Sequence, residues 1–177
     1  MSVTLGTEAP QFDLPGVDGQ SHSLDSYADA DVVVLVQSCN HCPYVQAWEG
    51  RLSAIASDYA DRGVRVVAIN SNDAVSHPED SFEEMQKRAS AQGFTFDYLF
   101  DEPQEIARKL GSERTPEVFV FDGDRHLVYH GAIDDSRDED GVSQHYLRDA
   151  LDAVLSGEEP AVSETPPVGC SMKWKAA

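Results

Sequence analysis

The feature that most constrains this chain is a pair of cysteines placed between an apolar run and a helical pattern. Residues 32–36 are consecutive apolar residues, which predict a buried strand. Cys39-Asn-His-Cys42 comes soon after this strand. Beyond Cys42, apolar residues recur at intervals of three and four, which predicts one face of a helix: Val45, Trp48, Leu52, Ile55 and Tyr59. The two thiols are therefore expected at a strand-to-helix junction of an α/β fold.

Two thiols at this spacing and in this position are typical of a dithiol redox site. Thiol exchange requires one cysteine as a thiolate, and a helix N-terminus stabilises a thiolate through its partial positive charge and free N–H groups. We expect Cys39 near the N-cap as the more exposed, more acidic, attacking thiol. Cys42 is expected just inside the helix as the sheltered, resolving thiol. His41 is expected to favour the Cys39 thiolate; the alternative is an exposed histidine with little effect.

Size and charge restrict the functions open to this chain. With 177 residues it is long enough for one domain with a substantial core. The net charge of −19 argues against binding to nucleic acids and to anionic membranes. The 19 Asp and 13 Glu against only 4 Lys indicate a halophilic protein adapted to high salt, where repulsion is screened. The alternative is an acidic protein of an ordinary environment.

The location is predicted from what the sequence lacks. No apolar stretch is long enough for a transmembrane helix, and the polar N-terminus has no visible signal peptide. A cytoplasmic protein is therefore expected. In the reducing cytoplasm a structural disulfide is disfavoured, and a catalytic disulfide is the better explanation for paired cysteines.

The rest of the chain alternates predicted strands and helices, as one domain at residues 1–160 and a proline-rich tail at 161–177. The predicted elements are a hairpin within 12–27, a strand at 64–70, a helix at 78–92, a strand at 94–100, a helix at 103–110, a hairpin within 118–130 and a helix at 141–155. The tail carries Cys170, with Met172 and Trp174 as apolar anchors on the domain. Cys170 is either a third redox thiol that reaches Cys39 or a lone tail cysteine.

Several segments together resemble the thioredoxin superfamily. The CxxC pair of Cys39 and Cys42 is combined with Thr115-Pro116 before a strand. The opening Ala9-Pro10-Gln11-Phe12-Asp13-Leu14 is similar to the alkyl hydroperoxide reductase/thiol-specific antioxidant branch, and Gly169-Cys170-Ser171 to its peroxiredoxin-like members with a CxxC motif. The resemblance implies a thioredoxin-like fold, with a central mixed β-sheet flanked by helices and an N-terminal β-hairpin extension. It also implies a cis Thr115–Pro116 peptide facing the thiols as a substrate-docking loop.

The chain departs from the family patterns in three respects. Ser38 stands where thioredoxins usually have Trp, and Val33 stands where they often have a buried Asp, so the sequence does not identify a proton acceptor. Peroxiredoxins place a threonine three residues before the peroxide-reducing thiol. Counting back from Cys39 reaches Val36, and from Cys42 it reaches Cys39, so neither register supplies that hydroxyl.

The sequence therefore predicts a thiol–disulfide oxidoreductase that exchanges with protein or small-molecule disulfides. No metal and no organic cofactor is expected, and electrons would come from another dithiol protein or a small thiol. One alternative is a thiol-dependent peroxidase, in which Cys39 becomes a sulfenic acid. Another is a non-catalytic binding module, with zinc held by Cys39, His41, Cys42 and Cys170. The oligomeric state does not follow from the sequence.

Overall fold

The computed structural model describes residues 3–177, which form nine strands and four α-helices. The strands are β1 (Asp13–Pro15), β2 (Ser21–Ser23), β3 (Val32–Ser38), β4 (Val64–Asn70), β5 (Asp97–Phe100), β6 (Arg114–Thr115), β7 (Glu117–Phe121), β8 (Leu127–Gly131) and β9 (Cys170–Ser171). The helices are α1 (Pro43–Ala60), α2 (Phe82–Gln92), α3 (Glu105–Leu110) and α4 (Tyr146–Leu155). No helix within this range is long and apolar enough to cross a bilayer.

A five-stranded mixed sheet in the order β5-β4-β3-β7-β8 is the centre of the fold. Strand β3 pairs in parallel with β4 and antiparallel with β7, so Val36 lies between Ala68 and Val118. All seven residues of β3 are buried. A strand covered on both faces needs apolar side chains in both directions, which explains the uninterrupted valine and leucine run.

Two apolar clusters cover the two faces of this sheet. One cluster joins even-numbered β3 residues such as Val34 to Trp48 of α1 and Leu151 of α4. The other joins odd-numbered residues such as Leu35 to the N-terminal hairpin and to α3. The prediction of a central mixed sheet flanked by helices is confirmed, and β1 and β2 form the predicted N-terminal hairpin.

Several predicted boundaries need correction. Helix α1 begins at Pro43 with Cys42 as its N-cap, so Cys42 is not inside the helix and Cys39 lies a turn before it. Helix α2 begins at Phe82 and not at residue 78, because Pro78–Asp80 forms a 3₁₀ turn. The Ser81 hydroxyl then caps α2 by accepting from the amide of Glu84 at 3.3 Å.

The other boundaries differ for similar local reasons. Helix α4 begins at Tyr146 and not at residue 141, because Glu139–Gly141 forms its own 3₁₀ turn. Helix α3 and strand β5 begin two or three residues later than predicted. The two-residue strands β6 and β9, which pair with each other, were not predicted.

The tail is docked along the domain, as the sequence predicted. The amide of Thr165 donates to the carbonyl of His130 at 3.0 Å, which ties the start of the tail to β8. Past β9, the amide of Met172 donates to the carbonyl of Glu113 at 3.1 Å. Met172 is buried, as expected of an anchor. Trp174 remains 41% exposed, with the guanidinium of Arg108 4.9 Å from the centre of its ring.

Candidate functional site

The two cysteines of the CxxC motif lie between the end of β3 and the start of α1, and both are buried. Cys39 is 2% exposed and Cys42 is fully covered. Together with Val45 they form a small cluster, against which Tyr44 and Cys170 pack. Cys39 was expected to be the more exposed of the two thiols, but both residues are buried, with Tyr44 and Cys170 packed against their cluster.

Cys42 is joined by a disulfide to Cys170, with their Cα atoms 6.2 Å apart and 128 positions between them in the chain. Cys39 is the free cysteine among the described residues. The tail thus brings a third thiol to the CxxC pair. Its partner is Cys42 and not Cys39, because pairing with β6 places Cys170 opposite Thr115, whose carbonyl oxygen lies 3.4 Å from Sγ of Cys42.

Thr115 contacts both sulfurs of the CxxC pair. Its hydroxyl lies 3.5 Å from Sγ of Cys39, and its carbonyl oxygen lies 3.4 Å from Sγ of Cys42. The Thr115–Pro116 peptide is cis, as the resemblance implied. Thr115 also pairs with Cys170 between β6 and β9. One stretch of backbone therefore faces all three cysteines.

A buried carboxylate that the sequence analysis missed lies beside this cluster. Asp80 is fully buried, and its oxygens accept from the amides of Asn40 (2.8 Å) and His41 (3.2 Å) and from the side-chain amide of Asn72 (2.9 Å). The Nδ1 atom of His41 lies 2.5 Å from the same carboxylate. Asp80 comes from the turn before α2, far from the cysteines in sequence, so no local pattern pointed to it.

These surroundings make Cys39 a weak acid in the bridged form, that is, the form with the Cys42–Cys170 disulfide. Burial, followed by the negative charge of Asp80, raises the pKa of the Cys39 thiol to about 11. The Thr115 hydroxyl and the N–H groups of Cys42 and His41 lower the pKa by less. The expectation of an acidic Cys39 is therefore wrong for this form. The tuning role of His41 stays a prediction; its ring is held by Asp80 and stacks on His77 at 5.5 Å.

A second buried acid supports the loop that carries Thr115. Glu117 is 1% exposed, and its carboxylate accepts from the amides of Glu113 (2.7 Å) and Arg114 (3.1 Å). Nε2 of His130 lies 2.7 Å from the other oxygen. A charged residue at the start of an otherwise apolar strand was a signal that could have drawn attention to this position.

The groups that could hold a metal differ from the set considered from sequence. Cys42 and Cys170 share a disulfide, so they are not free ligands in this form. Instead, ligand atoms of Cys39, His41 and Asp80 lie within 4.8 Å of one another. The Asp80 carboxylate already interacts with the four polar groups described above, which satisfies it without a cation.

A cleft of about 400 Å³ opens next to the CxxC loop. Asn40 and His41 form its wall on the thiol side. The remaining lining is mostly polar and carries both signs of charge: Gln46, Glu79, Glu84, Lys87, Arg88 and Ala91.

The sheet order, the cis Thr-Pro loop and the cysteines at the start of α1 together define a thioredoxin fold. The model of the AhpC/TSA family matches residues 5–130, and the chain belongs to this family. The match ends at β8, so α4 and the tail with Cys170 lie outside it.

Two solved structures extend the likeness over nearly the whole chain. A crystal structure from Sinorhizobium meliloti 1021 is 40% identical, with a TM-score of 0.94 over 100% of this chain and 98% of that one. A crystal structure from Geobacillus kaustophilus is 43% identical, with a TM-score of 0.93 over 98% of this chain and 94% of that one. The tail therefore has a counterpart in proteins of similar length.

A relative with a named activity is more distant. The thiol-disulfide oxidoreductase ResA of Geobacillus thermodenitrificans is 26% identical over 123 residues, which are 68% of this chain and 65% of that protein. A Mycobacterium tuberculosis protein named as a peroxiredoxin is 26% identical over 117 residues, 66% of this chain and 69% of its own. These relatives support an oxidoreductase role at the level of the family.

Proposed function

We propose that this protein is a thiol–disulfide oxidoreductase in which Cys39 and Cys42 form the reactive dithiol and Cys170 is a third redox thiol. The observation that carries this proposal is the gathering of three cysteines around Thr115, with Cys42 and Cys170 already joined. Two cysteines would suffice for a structural bridge. A third, unpaired thiol in the same cluster allows the disulfide to pass from one pair of cysteines to another.

The exchange proceeds in balanced steps. In the fully reduced protein, Cys39 loses its proton and attacks a substrate disulfide, which forms a mixed disulfide and releases one substrate thiolate. Cys42 then attacks Sγ of Cys39, closes the Cys39–Cys42 disulfide and releases the second substrate thiolate. Finally Cys170 attacks Sγ of Cys42, which frees Cys39 and leaves the Cys42–Cys170 disulfide. The substrate gains two electrons and two protons, and the protein loses them.

The surroundings keep the new disulfide in place once the last step is complete. Released Cys39 is protonated at neutral pH, because burial and Asp80 raise its pKa in the bridged form. A free Cys39 with a high pKa is also a poor nucleophile toward the bridge at neutral pH. The bridged form therefore acts as the resting oxidised state, and a small thiol or a dithiol protein returns it to the reduced state.

Single-cysteine variants test the assigned roles. Reduced Cys42→Ser protein should accumulate a mixed disulfide between Cys39 and the substrate thiol, because the resolving thiol is missing. Cys170→Ser should stop at the Cys39–Cys42 disulfide, and Cys39→Ser should lose turnover. Mass mapping of acid-quenched samples identifies each species. Full turnover in Cys39→Ser would overturn the proposal, and inactivity of the wild type toward every disulfide would favour a binding module.

One contact favours thiol-dependent peroxide reduction as a second candidate. The Thr115 hydroxyl lies 3.5 Å from Sγ of Cys39, so the fold supplies a hydroxyl that the local sequence around the thiol lacks. Hydrogen peroxide would convert the Cys39 thiol to a sulfenic acid and water, and Cys42 would then close the disulfide with release of a second water. Stopped-flow oxidation of reduced protein by hydrogen peroxide, set against reaction with a model disulfide, separates the two candidates.

A further inference from the structure

The backbone edge next to the thiols is already occupied by the chain's own tail. Strand β6 presents N–H and C=O groups of the kind that accept an added strand from a partner. In this protein β9 takes that place, with Arg114 opposite Ser171 and Thr115 opposite Cys170. A partner peptide that approached the thiols along Thr115 would meet the tail.

The fit between the tail and Thr115 depends on a glycine. A Cβ atom on Gly169 would overlap the carbonyl oxygen of Thr115 and crowd the nitrogen of Pro116. Glycine is the residue that lets two backbones approach this closely. The tail is thus shaped to lie on the Thr115 edge, and it is not a segment that happens to pass nearby.

The tail is held on both sides of Cys170 by contacts that do not involve the disulfide. Before it, the hydroxyl of Thr165 lies 2.8 Å from that of Tyr129. After it, the amide of Lys173 donates to the side chain of Asn72 at 3.0 Å, and the carbonyl of Lys173 accepts from the amide of Asp73 at 2.8 Å. Because none of these contacts involves the disulfide, we expect the tail to stay on β6 in the reduced protein as well.

The opening that remains beside the CxxC loop has the size of a small-molecule site. The cleft of about 400 Å³ is bounded on its thiol side by Asn40 and His41, the residues between the two cysteines. Ligand pockets for small molecules begin at roughly 300 Å³. No cysteine is among the described residues that line this cleft, so a small disulfide bound there reaches Cys39 only after a shift of the Asn40–His41 loop, whereas a folded protein that carries a disulfide would also need the Thr115 edge.

We infer that the substrates of this protein are low-molecular-weight disulfides and thiols, because the tail excludes protein partners from the Thr115 edge. This inference rests on the proposed thiol–disulfide exchange. It narrows the substrate class and assigns β9 a role in selectivity.

A single-turnover experiment tests the inference. Pre-reduced full-length protein is mixed with bis(2-hydroxyethyl) disulfide or with insulin, and loss of protein thiols is followed by acid quench, alkylation and mass measurement. The wild type should oxidise rapidly with the small disulfide and slowly with insulin. Gly169→Ala should lift β9 from Thr115 and raise the rate with insulin roughly tenfold or more, since the edge becomes free.

Two controls keep the outcome interpretable. Gly50→Ala is the matched substitution, because a Cβ there meets nothing within 4 Å, and it should leave the insulin rate low. Met172→Asp removes the buried anchor by a different route and should raise the insulin rate, with amide exchange at Thr115, which pairs with Cys170, reporting release of the tail.

Each outcome bears on a separate claim. Equal wild-type rates with insulin and the small disulfide would overturn the inference while leaving the proposed function standing. The same holds if both tail variants free the edge without any gain toward insulin. Failure of the wild type with both substrates would overturn the proposed exchange activity itself.

Discussion

Asp80 shows how one side chain can organise a reactive loop. A buried carboxylate is costly unless hydrogen-bond donors surround it. Here the amides of Asn40 and His41 and the side chain of Asn72 supply these donors, and the imidazole of His41 adds another contact. The carboxylate thereby holds the residues between the two cysteines in place. Its negative charge also opposes ionisation of Cys39.

Replacement of this carboxylate should make Cys39 more acidic. Asp80→Asn keeps the shape but removes the charge, so the pKa of Cys39 in the bridged form should fall below its value of about 11. Each unit by which it falls gives about ten times more thiolate at any pH well below the pKa. The pH profile of iodoacetamide labelling of Cys39 should therefore shift to lower pH.

The neighbouring acid provides the control for this measurement. Glu79→Gln removes one exposed charge from the same turn and should leave the labelling profile close to that of the wild type. An unshifted profile in Asp80→Asn would show that burial alone sets the pKa of Cys39.

The elements differ in how far the sequence could predict them. Strands β3 and β4 and the body of helix α1, though not its first residue, were predicted correctly, because long apolar runs and a regular period of three and four are local signals. Strands β6 and β9 have two residues each, which is too short for any periodicity. The approach of Asp80 and Cys170 to the CxxC pair depends on how distant segments pack. The sequence therefore identified the three cysteines and Thr115, but neither their pairing nor the acid beside them.

The cap of α2 links a helix end to the site. Ser81 accepts a hydrogen bond from the amide of Glu84 and directly follows Asp80. Ser81→Ala should lower the free energy of unfolding by about 1 kcal/mol, as is usual for loss of an N-cap. Urea titration measures this change, with Ser171→Ala as an exposed serine control. A change as small as that of the control would show that water replaces the cap.

At the scale of the whole molecule, the most prominent property is the large negative net charge. The 32 acidic residues face only 13 basic ones, which gives the net charge of −19. Basic side chains pair locally with acids, as Arg51 does with Asp134 and Arg88 with Glu49. Because acidic residues outnumber basic ones, many carboxylates cannot have a basic partner. Their mutual repulsion destabilises the folded state at low ionic strength.

Salt should therefore stabilise this protein. Screening shortens the range of repulsion from roughly 30 Å in dilute buffer to roughly 3 Å at molar salt. The melting temperature should rise steadily between dilute buffer and about 2 M potassium chloride. Differential scanning calorimetry at fixed pH measures the melting temperature in a potassium chloride series and in a sucrose series. The comparison separates charge screening from the general effect of a solute that is excluded from the protein surface. A midpoint that does not respond to potassium chloride would contradict the halophilic interpretation.

The bridge between Cys42 and Cys170 encloses most of the chain in one covalent loop, with 128 positions between its ends. Such a loop restricts the unfolded chain, and the chain-entropy model gives about 5 kcal/mol of added stability as an upper figure. The melting temperature should therefore drop by roughly 10 °C when a reductant opens the bridge, whereas the double variant Cys42→Ser/Cys170→Ser, which has one cysteine left, should melt at the same temperature with and without reductant. If this holds, cellular redox poise also sets how long each molecule survives proteolysis, with oxidised molecules persisting and reduced ones turning over.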